Sequence, residues 1–372
     1  MSNSMYMVRR NYRGKLLATA SAAVLMTAYA GVEGARAADG DRPQVWIDLG
    51  WHYERINTLG DIFKPPFLVT TPRPDFEHQP PLDVEKTLPW SYGGDGAISF
   101  QPDSSSWVFA AGVRYGRSHG LRHTHEQVAS NFKITKGPLK GRYFPQTKKF
   151  TDATGSNSET HVVIDFQAGK DVGLGFLDND SASVLSAGIR YVHFKSRSSS
   201  LLREDPDLRA FFPPPKYFPA IAYHNYVASA DIGREFQGIG PSLSWKASAP
   251  LAGNLDGGEL AFDWGIDGAV LFGRQRSVVK HETSGDYHKT GGKYHVHNHY
   301  HTSTNQVRSR RVTVPNVGGF AGISYRFTDA KLSIGYRADY FFKAVDGGID
   351  TRHDTNRGFM GPYASISFGF GD

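Results

Sequence analysis

E-L-A-F-D-W-G-I-D-G-A-V-L-F, residues Glu259 to Phe272, carries Leu260, Phe262, Trp264, Ile266, Val270 and Phe272 on one parity. Asp263, Gly265 and Asp267 stand on the other parity, and Gly273 continues that row. A period of two with one apolar and one polar face predicts a β-strand. The run is longer than the common globular strand of about 5 to 6 residues. It is long enough to cross a bilayer as a tilted strand of about 9 to 11 residues, with no charge on its apolar face. Such a strand predicts the wall of a transmembrane β-barrel.

The N-terminus agrees with export. Arg9, Arg10, Arg13 and Lys15 form a basic start, Leu16 to Tyr29 an apolar run, and Ala35-Arg36-Ala37 a cleavage motif. This is the pattern of a bacterial signal peptide over residues 1–37, and the apolar run is too short to anchor as a helix. The barrel domain is then 38–372. No other apolar run is long enough for a spanning helix, which excludes a helical inner-membrane protein. The chain has no cysteine, so disulfides and thiolate metal sites are excluded. Removing five basic residues and one acidic residue with the signal lowers the formal charge from +6 to +2, and export argues against a nucleic-acid partner. The 41 glycines and 48 aromatic residues in a chain polar on average suit a wall with alternating faces and long polar loops.

The same alternation recurs. Val45, Ile47, Leu49, Trp51 and Tyr53 form one row, Trp107 to Tyr115 another, and Val162 to Ala168 a third. Further rows lie at 185–191, 226–232, 243–249, 317–327, 332–342 and 360–370, with a weaker one near 97–101. Bacterial single-chain barrels have even strand numbers, so these eleven candidates predict about 12 strands, within a range of 10 to 14. The missing strand is expected within 273–311. Ala111-Gly-Val-Arg-Tyr115, Ala187-Gly-Ile-Arg-Tyr191 and Ala321-Gly-Ile-Ser-Tyr325 repeat one pentapeptide, with a tyrosine suited to an interfacial girdle. Long external loops are expected at about 58–90, 118–160, 196–222 and 276–311.

At the C-terminal end, Tyr336-Arg-Ala-Asp-Tyr-Phe-Phe342, Asp346-Gly-Gly-Ile-Asp-Thr351, Arg357-Gly-Phe-Met-Gly-Pro-Tyr363 and Ile366-Ser-Phe-Gly-Phe370 resemble the Legionella-type major outer membrane protein family of pore-forming barrels. The resemblance covers about the last 40 residues together with the placing of the signal and first strand. It implies an outer-membrane, porin-like channel for passive diffusion of small hydrophilic solutes or ions, and it carries over no catalytic or binding residue. Such barrels usually finish on an aromatic residue, whereas here Gly371 and Asp372 follow Phe370.

For a pore, the polar parity supplies the lining: Arg114, Asp165, Arg190, Asp231, Asp263, Asp267, Arg326, Arg337 and Asp339. Rings of charge set ion preference, and a mild anion preference is expected. The same strands also suit a closed barrel that acts as an adhesin, receptor or metal-capturing surface protein through its loops. The implied partners are outer-membrane lipid, small solutes or ions, and a second copy of the chain, since porins commonly assemble as homo-oligomers. His295, His297, His299 and His301 fall at period two, so an extended backbone would place four imidazoles on one face, suited to Zn, Ni or Cu. No resident cofactor is otherwise expected. Enzymatic activity is not expected either, because His52 and His193 belong to no motif whose spacing specifies chemistry.

Overall fold

The computed structural model describes residues 45–57, 62–63, 82–83, 90–102, 105, 107–133, 143–171, 182–204, 220–255, 257–291, 294–348 and 351–370. The signal-peptide expectation, 1–37, lies outside them. Along the chain the strands are β1 (Val45–Ile56), β2 (Ile62–Phe63), β3 (Leu82–Asp83), β4 (Trp90–Phe100), β5 (Trp107–Lys133), β6 (Tyr143–Asp171) and β7 (Ala182–Glu204), followed by β8 (Ala220–Asn254), β9 (Gly258–Gly291), β10 (Tyr294–Arg326), β11 (Ala330–Asp346) and β12 (Asp354–Phe370). Ten of them close into one antiparallel up-and-down barrel, while β2 and β3 form a separate two-stranded pairing. Closure is made by β1, which pairs with β12 from Val45↔Phe370 to Ile56↔Phe359 and with β4 from Val45↔Phe100 to Arg55↔Trp90.

Among the described residues the barrel has ten strands, within the expected range of 10 to 14 and two below its centre. Rows 226–232 and 243–249 are one strand, β8, read as two because Gly238-Ile239-Gly240-Pro241 interrupts the pattern. Proline has no N–H to donate. Correspondingly, the β8–β9 register passes from Ile239↔Phe272 to Ser242↔Ala269 across that point, while the β7 side pairs Pro241 with Ile189. No further strand hides in 273–311. That segment continues β9 and β10, paired without a break from Tyr294↔Gly291 to Arg326↔Glu259. Much of the sequence expected as loop at 118–160, 196–222 and 276–311 is therefore wall.

Period two is kept along each long strand, but polarity is not. In the lower wall the outward residues are apolar, with Ile189, Ile239, Leu243, Ile266, Phe272 and Ile334 more than half exposed. Aromatics edge this belt. Phe100, Trp107, Tyr325, Phe327 and Phe370 lie at the end with short turns, and Trp51, Tyr53, Trp90 and Tyr92 lie at the other, where Tyr53 stacks on Trp90 at 4.7 Å. Farther along β6 to β9 the faces exchange character. Ala153, Leu202, Ala228, Ala230, Ile232 and Val279 pack inward as an apolar cluster. Arg197 and Asp231 pair on the outside at 2.9 Å. A wall with its apolar side outward below and inward above is solvated differently at the two levels.

Between the levels lies a larger apolar layer that includes Val192, Phe194, Phe236, Leu271, Val314, Phe341 and Phe359. The Phe194 ring on β7 meets Phe236 at 5.1 Å, Phe341 on β11 at 5.5 Å and Phe359 on β12 at 6.1 Å. Strands β7 and β12 stand opposite each other in the ten-strand order, so these rings meet across the barrel axis. Small barrels fill their interiors in this way.

Two local devices shape the ends. The β8–β9 turn uses Gly253 and Gly258 at φ +91° and +101°, where a side chain would be strained. In β11, Lys343 at φ +53° marks a register shift between Phe341 and Val345, after which Ala344, Val345 and Asp346 are all buried. This bulge turns the start of the β11–β12 connection into the barrel mouth.

Truncating a ring that meets others across the axis should cost far more than truncating an outer one. Phe236→Ala and Phe341→Ala are expected to lose about 3–5 kcal/mol each. Leu121→Ala, at a position 70% exposed, should change stability by less than about 0.5 kcal/mol. Equilibrium urea unfolding of the refolded barrel measures both.

Candidate functional site

The interior below the apolar layer is built from inward-facing glycines, serines and charges. Two of the three pentapeptides place an arginine there. Arg114 on β5 reaches across to Asp339 on β11 at 2.5 Å and lies 4.0 Å from Glu54 on β1. Arg190 on β7 forks onto Asp165 at 2.7 and 3.2 Å. Its Nη1 also donates to Asp267 and Asn316, each at 2.5 Å. Both guanidinium groups are buried. A buried arginine is tolerated only when its donors meet acceptors, and the bidentate fork on Asp165 is the strong form of that pairing.

The remaining lumen groups stand nearer the short-turn end. Asp263 accepts from Ser248 and pairs with Lys331 at 2.5 Å. Arg326 pairs with Glu259. The Arg337 guanidinium lies 5.6 Å from the ring centres of both Phe320 and Tyr363. Side chains of Asp165 and Asp267 remain 27% and 20% exposed, so among the described residues this half of the lumen leaves space beside its carboxylates.

Eight of the nine expected lining residues therefore face inward, and Asp231 does not. It lies above the apolar layer on the outer face, where the inward row is Ala228, Ala230 and Ile232. Reading the apolar row as outward along the whole strand reverses it, because the upper wall packs its apolar side inward.

On the far side of the layer more charges cross the lumen. Arg357 on β12 binds Glu159 on β6 and the Asn57 carbonyl, each at 2.5 Å. Arg308 donates to Asp346 at 2.6 Å and to the Gly348 carbonyl at 2.6 Å. Arg234 donates to the carbonyls of Asp346 and Gly347, tying the β11–β12 connection inside the mouth. At the rim, hydrogen bonding from Arg352, with Arg310 beside it, holds the Asp354 carboxyl below its ordinary range.

His295, His297, His299 and His301 all lie on β10, so the extended backbone is present. His299 and His301 are exposed on the outer face, paired with Asp286 at 2.9 Å and near Glu282 at 3.7 Å. The side chains of His295 and His297 lie outside the described residues. A second imidazole cluster is internal: His52, Glu54 and His161 are each at most 2% exposed, and their donor atoms lie within 4.8 Å of one another. Sequence reasoning reached neither Glu54 nor His161. The only local trace is that His52 and Glu54, like Glu159 and His161, are two apart and so share a face.

No protein-family model and no curated protein matches the chain. Among solved structures it is similar to the transport unit of the autotransporter AIDA-I from Escherichia coli, at 9% identity over 94% of this chain and 98% of that one, with a TM-score of 0.24. A TodX monoaromatic hydrocarbon channel mutant aligns at 8% identity over 89% and 91%, with a TM-score of 0.23. Superposition this loose fixes neither strand number nor activity.

Asp339→Asn removes the close partner of buried Arg114 and leaves it Glu54, 4.0 Å away. It is expected to destabilise by about 3 kcal/mol, and adding Arg114→Met should recover part of that loss. A double-mutant cycle in urea checks it.

Proposed function

We propose that this chain is a bacterial outer-membrane barrel serving as a narrow, charge-lined channel for small hydrophilic solutes or ions, non-enzymatic and gated at its apolar layer. The membrane assignment is supported by the unbroken apolar belt between two aromatic edges. Trp107 and Tyr115 are eight residues apart on its face, about 26 Å at about 3.3 Å per residue. The observation that carries the channel reading is the polar lumen inside that belt, holding charges of both signs with Asp165 and Asp267 still partly exposed. This is the class of protein that the C-terminal segment resembles. Charges on a lumen wall favour ion passage at little desolvation cost.

A second reading is favoured by one specific observation, the rings meeting across the axis. If that layer never opens, the barrel is closed, and its role passes to the extended sheet of β5 to β10 as an adhesive or metal-capturing surface.

Planar-bilayer recording of the folded protein separates the two. The channel reading expects stepwise openings, and larger ones after Phe194→Ala with Phe236→Ala. Silence from wild type with conduction only in that variant favours the closed barrel. In a salt gradient the expected reversal potential shows anion preference, and equal permeability contradicts it. Placement in the membrane is tested by Leu243→Arg and Ile266→Arg, each expected to cost about 2–4 kcal/mol in lipid if at midplane depth.

A further inference from the structure

One rung of the barrel has an unusual composition. His52 on β1 pairs with Gly93 on β4, Gly93 with Gly116 on β5, and Gly116 with His161 on β6. Three strand spacings separate the two histidines, about 14 Å at about 4.8 Å each, yet their ring centres are 6.0 Å apart. The rings lean toward each other over the two glycines. A Cβ on Gly116 would collide with His161, and one on Gly93 with His52 Nε2. Glycine at both positions is what lets the imidazoles converge.

Glu54 completes the group. Its Oε2 lies 3.1 Å from His161 Nε2 and 3.7 Å from His52 Nε2. Two ligands of a tetrahedral zinc ion, bound at about 2.0–2.1 Å, stand about 3.3–3.4 Å apart, so these spacings bracket what one ion requires. Beyond the close Glu54–His161 contact, none of the imidazole nitrogens of His52 and His161, nor either Glu54 oxygen, has a directed hydrogen bond. Buried polar atoms so incompletely satisfied call for an explanation. The other ring nitrogen of His52 lies 3.6 Å from Asp95, a carboxylate placed to orient a ligating imidazole from outside. Arg114 lies 4.0 Å from Glu54 and is bound more closely by Asp339, at 2.5 Å. Glu54 and Asp95 beside the two histidines supply the negative charge that a divalent cation would meet.

We propose that His52, Glu54 and His161 bind a divalent transition-metal ion, clamping β1 to β6 over the glycines of β4 and β5. Two imidazoles and a carboxylate suit zinc and its neighbours, and three protein ligands leave one position for water. The ion would stabilise the barrel by binding only the folded state.

The test uses the folded full-length barrel carrying His295→Ala, His297→Ala, His299→Ala and His301→Ala, which removes the outer histidine row. Zinc retained after desalting is measured by elemental analysis, and cobalt substitution by visible d–d absorption. One equivalent is expected, with a raised Tm. His161→Ala or the near-isosteric Glu54→Gln should abolish retention, and Asp95→Asn should weaken it about tenfold or more. Gly116→Val, which keeps every ligand but fills the cradle, should also abolish it, with heat-modifiable gel mobility confirming a folded barrel. The proposal is overturned if the four-alanine barrel retains no zinc, or if retention survives both Glu54→Gln and His161→Ala. A pair of protonated imidazoles compensating the carboxylates would give the first of these results.

Discussion

Closure of the backbone hydrogen-bond ladder is the constraint on which everything else rests. Every strand of the barrel has two neighbours, and β1 supplies the last pairings on both of its sides. A closed ladder leaves no edge to satisfy, which is what a strand wall requires in hydrocarbon. It also locks parity, because slipping one strand by a residue would turn its whole apolar row to the wrong side. Side chains are then committed to the wall's inner or outer face over as many as 35 residues of one strand.

Given fixed parity, the change in polarity along β6 to β9 locates the solvent. Below the apolar layer Ile239 and Leu243 point outward and Ser242 and Ser244 inward. Above it Ile232 and Ala230 point inward and Asp231 outward. The interior accommodates the change with rings that meet across the axis and with arginines that bridge strands far apart in the order. The fold's stability and any permeation path therefore draw on the same side chains. An aromatic layer lies across the lumen, with the partly exposed charges of Asp165 and Asp267 on one side of it.

The fold was largely legible because its signal is local. Alternation within β1, β5, β9, β11 and β12 needs no long-range information, and the A-G-[V/I]-[R/S]-Y repeats mark Arg114 and Arg190 as inward. What was not legible was set by distant partners. Pro241 broke the pattern of β8 without breaking the strand, and the polar outer face of 273–311 disguised a regular hairpin. Asp231 was misplaced because alternation alone does not say which face meets water. The rung joining His52 to His161, more than 100 residues apart in sequence, depends on three successive strand registers, and no spacing within the sequence encodes them.

The polarity exchange along β8 is tested most directly by spin-label accessibility. The chain has no cysteine, so single cysteines at the outward positions 229, 231, 233, 235, 239, 243 and 247 can each be labelled alone in the lipid-reconstituted barrel. Collision with a water-soluble nickel chelate is expected from 229 to 235, giving way to collision with oxygen from 239 onward. The crossover should lie between Glu235 and Ile239. Uniform water accessibility along the whole row, or oxygen accessibility at 229 to 235, would contradict it.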